Sequence, residues 1–278
     1  MSIVIGIDVG ISSTKILGIE NGKRIKSPMC VKGVEDPEAS LYGALGKYIS
    51  ENGIDLNDIE HVMVTGVGTK RVKSPIYDLP TDFVDEFMAN GLGARFDSGL
   101  DHIVVVSMGT GTSLVRVDGN DIRPIGGIGM GGGTLQGLSH LLLSTSNVQL
   151  VQDLALRGEI NQVNLLIDDI SPEGLEELTT NATASLFAKA HKTNPDDFDI
   201  AKGLVWMVLE TIGSCAVLSQ LNNGFKDFVL IGNLTRLEEC KEVFPMMEEL
   251  YGVNFIIPKY APYCTALGAA ISYGYQKE

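Results

Sequence analysis

Basic residues are scarce in this chain: 21 lysines and arginines stand against 35 aspartates and glutamates, a formal net charge of −14 over 278 residues. A duplex-binding protein needs a positive stripe to displace condensed counterions, so nucleic acid is not an expected partner, and neither is an anionic membrane surface. Cysteine is equally sparse. Cys30, Cys215, Cys240 and Cys264 are scattered and form no CxxC pair. That spacing argues against a disulfide framework and reads as reduced or buried thiols in a cytoplasmic protein. The four histidines, His61, His102, His140 and His191, show no metal-ligand spacing. No apolar run reaches the ~18 residues that a membrane span needs. The first residues, Met1 to Asp8, lack a basic n-region and go straight into a strand pattern, which is not how a signal peptide reads. What remains is an ordinary globular composition, 44% hydrophobic and 20% charged, of a length that suits one large domain or two lobes.

Glycine is locally abundant. Six of the eleven residues from Gly126 to Gln136 are glycine, and the run leads into an apolar, helix-compatible stretch, Leu135 to Leu143. A glycine-rich loop that opens a helix is an anion site, because free N–H groups and the helix dipole both point at it. Gly131, Gly132, Gly133 and Thr134 are therefore expected at a helix start near a bound anion. A flexible loop is the plainer reading of the same composition.

The pattern along the chain repeats. Residues 3–8 and 15–19 read as strands flanking a bend at Gly10, and 25–31 as a third strand. Asp36 to Glu51 reads as a helix opened by Pro37, His61 to Thr65 as a short buried strand, and Thr81 to Phe96 as a helix. Residues 103–108 and 113–117 again read as strands, here flanking Gly109-Thr-Gly-Thr112, and Asp118-Gly119 as a hairpin turn. Helices dominate from 131 to 224, with Asp199 to Asn222 long and apolar enough for a buried central helix. Phe228 to Gly232 reads as a parallel-type strand followed by a cap and a helix to Tyr251, 253–257 as a last strand, and 265–275 as a closing helix. The break near 97–102 divides the chain into an N-terminal α/β lobe, 1–98, and a C-terminal α/β lobe, 99–278.

Two glycine- and hydroxyl-rich hairpins facing each other can hold a polyphosphate. Backbone N–H groups and hydroxyls donate to phosphate oxygens without net positive charge. The residues expected there are Gly10, Ser12, Ser13, Thr14 and Lys15 from the first bend and Gly109, Thr110, Gly111 and Thr112 from the second. Asp8 ends the first strand at the edge of this cleft. It is placed to hold Mg²⁺ through water, since that ion binds phosphates with one or two carboxylates. Taken alone, Asp8 reads equally as a turn-capping residue.

This layout resembles the superfamily of actin-like ATPases and sugar kinases, whose fold is a duplicated, ribonuclease H-like α/β unit with a nucleotide cleft between two lobes. Residues 3–15 and 107–114 look like its two phosphate motifs. Residues 228–235 look like its adenosine motif, which puts Gly232 and Asn233 by the adenosine. The narrower resemblance is to type II (fumble-like) pantothenate kinases. It rests on Gly109-Thr-Gly-Thr-Ser-Leu114, Gly126-Gly-Ile-Gly-Met-Gly-Gly-Gly133, Leu135-Gln-Gly-Leu138 and Asp85-Glu-Phe87. It implies ATP- and Mg²⁺-dependent phosphorylation of pantothenate, the first step toward coenzyme A, by a homodimer. By the same resemblance Glu86 is the base on the acceptor hydroxyl, and Ser113 binds substrate.

One position departs from the pattern. The family's substrate-holding arginine falls, in ungapped register, on Pro124, with Arg123 one residue earlier. A one-residue shift on a strand reverses the face of a side chain unless a bulge restores it. Arg123 is the expected substrate contact if such a bulge exists, with Arg116 or Arg95 as substitutes. Failing these, the substrate is not pantothenate, and the chain is a kinase or ATPase of the same fold acting on another small molecule. Two further readings follow. Cys264 to Tyr273 and Val64 to Gly68 also look like the ATPases that activate 2-hydroxyacyl-CoA dehydratases, but no cluster-binding cysteine occurs in residues 107–138. A non-catalytic nucleotide- or acyl-CoA-sensing protein would keep the phosphate loops and tolerate loss of the arginine.

Overall fold

The computed structural model describes residues 2–20, 23–24, 27–33, 36–72, 74–171, 182–220 and 223–275. Residues 25–26 of the expected third strand and 221–222 of the expected central helix lie outside them. The first sheet contains β1 (Ile3–Val9), β2 (Ser13–Glu20), β3 (Lys23–Arg24), β4 (Met29–Lys32), β5 (Ile59–Thr65) and β6 (Thr81–Phe83). β1 lies between β2, antiparallel, and β5, parallel. Nearly every residue of β1 and β2 is buried, as in strands covered on both faces.

Helix α1 (Pro37–Asn52) covers one face of this sheet. Asp36 caps it, accepting from the N–H of Glu38 at 2.9 Å, and Gly53 closes it at φ 61°. Helix α2 (Glu86–Ser98) starts later than the periodicity suggests. Residues 81–83 instead pair in parallel with β5, and Asp85 caps α2 by accepting from Phe87 and Met88 N–H at 3.0 and 3.1 Å.

The second sheet repeats the first. Its order is β13-β12-β7-β8-β9, from β7 (His102–Met108), β8 (Thr112–Asp118), β9 (Asp121–Ile128), β12 (Asp227–Ile231) and β13 (Asn254–Ile256). A small pair, β10 (Leu165–Leu166) and β11 (Thr183–Ser185), stands apart. Between β9 and β12 run α3 (Gly132–Leu143), α4 (Val148–Ala155), α5 (Ile167–Ile170), α6 (Ala190–Thr193) and α7 (Asp197–Leu218). α7 is long and apolar enough to cross a membrane, but two-thirds of its 18-residue apolar window is buried inside the protein, against Val104, Val106 and Phe228. Helices α8 (Cys240–Tyr251) and α9 (Cys264–Tyr275) complete the fold.

The two sheets exchange helices. α2, from the first half of the chain, packs on β7, β8 and β9, while α9, from the end, packs on β1, β2 and β5. The two helices touch backbone to backbone. A Cβ on Gly93 would lie 1.9 Å from Cys264 O, and one on Gly268 would lie 1.7 Å from Ala89 O. Only glycine admits that approach.

Candidate active site

The two bends meet. A cavity of ≈ 430 Å³ is lined by Asp8, Gly10, Ser12, Ser13 and Lys15 from the first sheet and by Gly109, Thr110, Gly111, Thr112 and Ser113 from the second. Gly232 and Asn233 line it too, and Asn233 Nδ2 donates across the cleft to Ser13 Oγ at 3.4 Å. A volume of this size suits a small-molecule ligand.

Strand register puts the reactive groups in rows. Asp8 pairs with Lys15 on β2 and with Thr65 on β5. Lys15 Nζ lies 3.3 Å from Asp8 Oδ2, and both side chains are about nine-tenths buried. In the second sheet Ser107, Ser113 and Gly127 form one row across β7, β8 and β9, and all three line the cavity. Glu86 enters the same cavity from the first residue of α2. Because Asp85 caps the helix, the Glu86 carboxylate is left to project. Its pKa is raised from the ordinary 4.5, first by burial and then by the Asp8 carboxylate; Lys15 opposes the shift and Asp85 adds to it. A carboxylate so placed accepts a proton more readily than a solvated one.

Several expected residues lie elsewhere. Thr14 alternates away from its neighbours and is buried under α1, its hydroxyl 2.8 Å from that of Ser40. The glycine run is split between two elements. Gly126 and Gly127 belong to β9, whereas Gly131 caps α3 and Gly132 and Gly133 open it. The N–H groups of Gly132 and Gly133 donate to Gly109 O and Thr110 O, each at 2.8 Å. Thr134 Oγ1 bonds Gly129 O at 3.0 Å. Residues 131–134 therefore brace the second bend from behind, and those two N–H groups are already engaged.

Arg123 is also outside the cavity. The bulge foreseen by the sequence exists: Leu114 pairs with Gly126 but Val115 with Pro124, which leaves Ile125 extra. The result is Arg123 opposite Arg116. Leu114, two residues before Arg116, packs with the α7 core, while Val115 and Val117 pack with Ala94 of α2. Arg116 and Arg123 thus share the sheet face turned away from Glu86. Arg123 Nε bonds Asp121 at 2.6 Å and its side chain is 73% exposed. Arg95 is likewise occupied, with Asp101 at 2.5 Å and Asn120 at 2.9 Å. Ser107, Gly127, Ile128, Val67 and Thr265 were not foreseen in the lining; only β9's register, invisible in a run of glycines, could have pointed to Gly127 and Ile128.

Comparison with known proteins agrees with this geometry. The Fumble family model matches residues 100–271. A type II pantothenate kinase of Staphylococcus haemolyticus is 26% identical over 223 residues, 78% of this chain and 82% of that protein. One from Bacillus thuringiensis subsp. konkukian is 26% identical over 241 residues, 84% of this chain and 83% of its own length. Among solved structures, component A of (R)-2-hydroxyglutaryl-CoA dehydratase from Acidaminococcus fermentans superposes with TM-score 0.69 at 19% identity, covering 100% of this chain and 99% of the other. A ROK-family glucokinase from Streptomyces griseus, solved with glucose and AMPPNP, gives 0.56 at 14% identity, with 97% and 98% covered. The structural likenesses establish the two-lobed fold shared with sugar kinases and dehydratase activators. With the family model spanning well over half of its residues, the chain belongs to the Fumble family.

Proposed function

We propose that this chain transfers the γ-phosphoryl group of ATP to the primary hydroxyl of pantothenate, the reaction for which its curated relatives are named. The observation that carries the reading is one cavity lined by both phosphate bends, Glu86 and Ser113. The bends around Gly10 and Gly109–Thr112 supply backbone and hydroxyl donors to the phosphates, and Gly232 and Asn233 flank the adenosine. Phosphoryl transfer needs chiefly positioning and charge stabilisation. Glu86 accepts the proton of the acceptor hydroxyl as its oxygen bonds to phosphorus, and Ser113 holds the acceptor. Residues 131–134 act on nucleotide by holding the second bend in place.

Magnesium fits the donor set. Among the described residues no group of three or more His, Cys, Asp or Glu could cage a metal, but Mg²⁺ is normally held by one or two carboxylates with water and phosphate. Asp8 lines the cavity and is the residue that would hold it, through water. The ion would neutralise phosphate charge that Lys15, paired to Asp8, only partly offsets. We further propose a cytoplasmic homodimer, with neither nucleic acid nor membrane as partner.

The dehydratase-activator reading is weaker. Cys30, Cys215, Cys240 and Cys264 all lie outside the second phosphate hairpin and the glycine run, and two of them are buried. The test is coupled ADP release with ATP and Mg²⁺ across pantothenate, pantetheine, an N-acetylhexosamine and no acceptor. Release that depends on pantothenate is expected; acceptor-independent release would favour an ATPase, and no release a sensor.

A further inference from the structure

One buried polar pair at the α2–α9 crossing is used by none of the contacts above. Asn90 follows Glu86 by four residues on α2, so the two side chains share a helix face. Asn90 is completely buried. Its Oδ1 lies 2.7 Å from Thr265 Oγ1, so the threonine hydroxyl donates and the amide oxygen accepts. The amide Nδ2 then has no hydrogen-bond partner among the described residues. A buried donor left in that state is unfavourable and calls for an explanation. Thr265 is itself buried and lines the active-site cavity.

The frame around this pair is rigid. α2 and α9 meet at Gly93 and Gly268 without room for a side chain, and α9 rests on β1 in the same way. A Cβ on Gly6, two residues before Asp8, would lie 1.9 Å from Ala266 O. Asp8 and Glu86 are thus joined through β1, α9, the Thr265–Asn90 bond and α2. The charged groups facing Glu86 are Asp8 and Lys15 from the first sheet and Asp85 from its own cap.

We propose that Asn90 is a positioning residue for Glu86: Thr265 fixes the amide, and the unpartnered Nδ2, one turn away, is the donor to which one Glu86 carboxylate oxygen turns when the acceptor is bound, leaving the other oxygen for the acceptor hydroxyl. This rests on the reading of Glu86 as the base. Asn90 is not in the cavity lining, so its loss should act on the chemical step alone.

The test is steady-state kinetics of Asn90→Ala, Thr265→Val and Thr265→Ser beside Glu86→Gln, with ATP affinity and thermal unfolding measured for each. A hydrogen bond to a charged group governs roughly a tenfold or greater effect. Asn90→Ala should lower kcat by about that factor, with both KM values and ATP affinity near wild type. Thr265→Val should act in the same direction, and Thr265→Ser, which restores the hydroxyl, should recover kcat. If Asn90→Ala does not fold, the Val and Ser pair at 265 decides. Collapse of Glu86→Gln with wild-type kcat in Asn90→Ala and Thr265→Val would overturn the positioning role and leave the base intact. A loss spread over kcat, both KM values and melting temperature, without rescue by serine, would make the pair a packing contact and overturn it too. Wild-type turnover in Glu86→Gln would remove the base reading itself.

Discussion

At the scale of single residues, the environment of Glu86 sets the pH response. Burial, then Asp8, raise its pKa above 4.5, and Lys15 only partly opposes them. The base works when ionised, so kcat should fall as pH drops through that raised value. The acid limb of the pH–kcat profile should lie above the ordinary glutamate range; a limb at or below it would contradict the burial argument. The same shift has a sign for stability. Between 4.5 and the raised value the folded protein holds a proton that the unfolded chain releases, so this group's contribution falls as pH rises. Arg123 leads to a second expectation. Its guanidinium is bonded to Asp121 and faces away from α2. Arg123→Ala should leave acceptor KM within about twofold, because surface ion pairs contribute little. A tenfold rise in that KM would restore the arginine to the site.

At the scale of elements, the second bend depends on the start of α3. A Cβ at Gly131 would sit 2.6 Å from Thr110 O and 2.8 Å from Gly111 Cα, whereas one at Gly129 meets nothing within 4 Å. Gly131→Ala must therefore push backbone of the proposed phosphate bend. It should weaken ATP binding by about fivefold or more, the scale of a 1–3 kcal/mol overpacking cost. Gly129→Ala should not, and equal affinities for the two variants would refute the bracing role. This element also shows what a sequence conceals. Six glycines in eleven residues were plain to read, as were the two strand–bend–strand hairpins and the helix opened by Pro37. What glycines cannot announce is their partner: the same run serves as an edge strand, a bulge and a helix start. Alternation within β2 did separate Ser13 and Lys15 from Thr14, but only once the strand's start at Ser13 was known. Asp85 was hidden for a related reason. The apolar residues 83–84 continue a helical pattern, yet parallel pairing with β5 claims Phe83 for a strand.

At the scale of the whole molecule, the exchange of α2 and α9 between the sheets ties the two lobes together. A chain division at 98/99 follows the sequence repeat, while the packing crosses it. The repeat itself was legible because each half builds the same strand–bend–strand hairpin. The surface also carries an apolar set on α3 and α4, with Leu141 76%, Leu142 52% and Leu150 44% exposed. These side chains are the sites at which substitution tests the proposed homodimer. Sedimentation equilibrium should give twice the 29.8 kDa chain mass, and Leu141→Glu with Leu150→Glu should lower it toward one chain. A wild-type protein that stays at one chain mass at micromolar concentration would refute the homodimer.

Phosphoryl transfer to a primary hydroxyl, with Glu86 as base, is the chemistry proposed for this site. The most direct measurement is turnover of wild type and Glu86→Gln with ATP, Mg²⁺ and pantothenate, following ADP and the phosphorylated acceptor together. Wild type should form one phosphopantothenate per ADP. Glu86→Gln should lose on the order of 10²–10⁴ in kcat while still binding ATP. No pantothenate-dependent ADP release by wild type, or equal turnover by the two proteins, would contradict it.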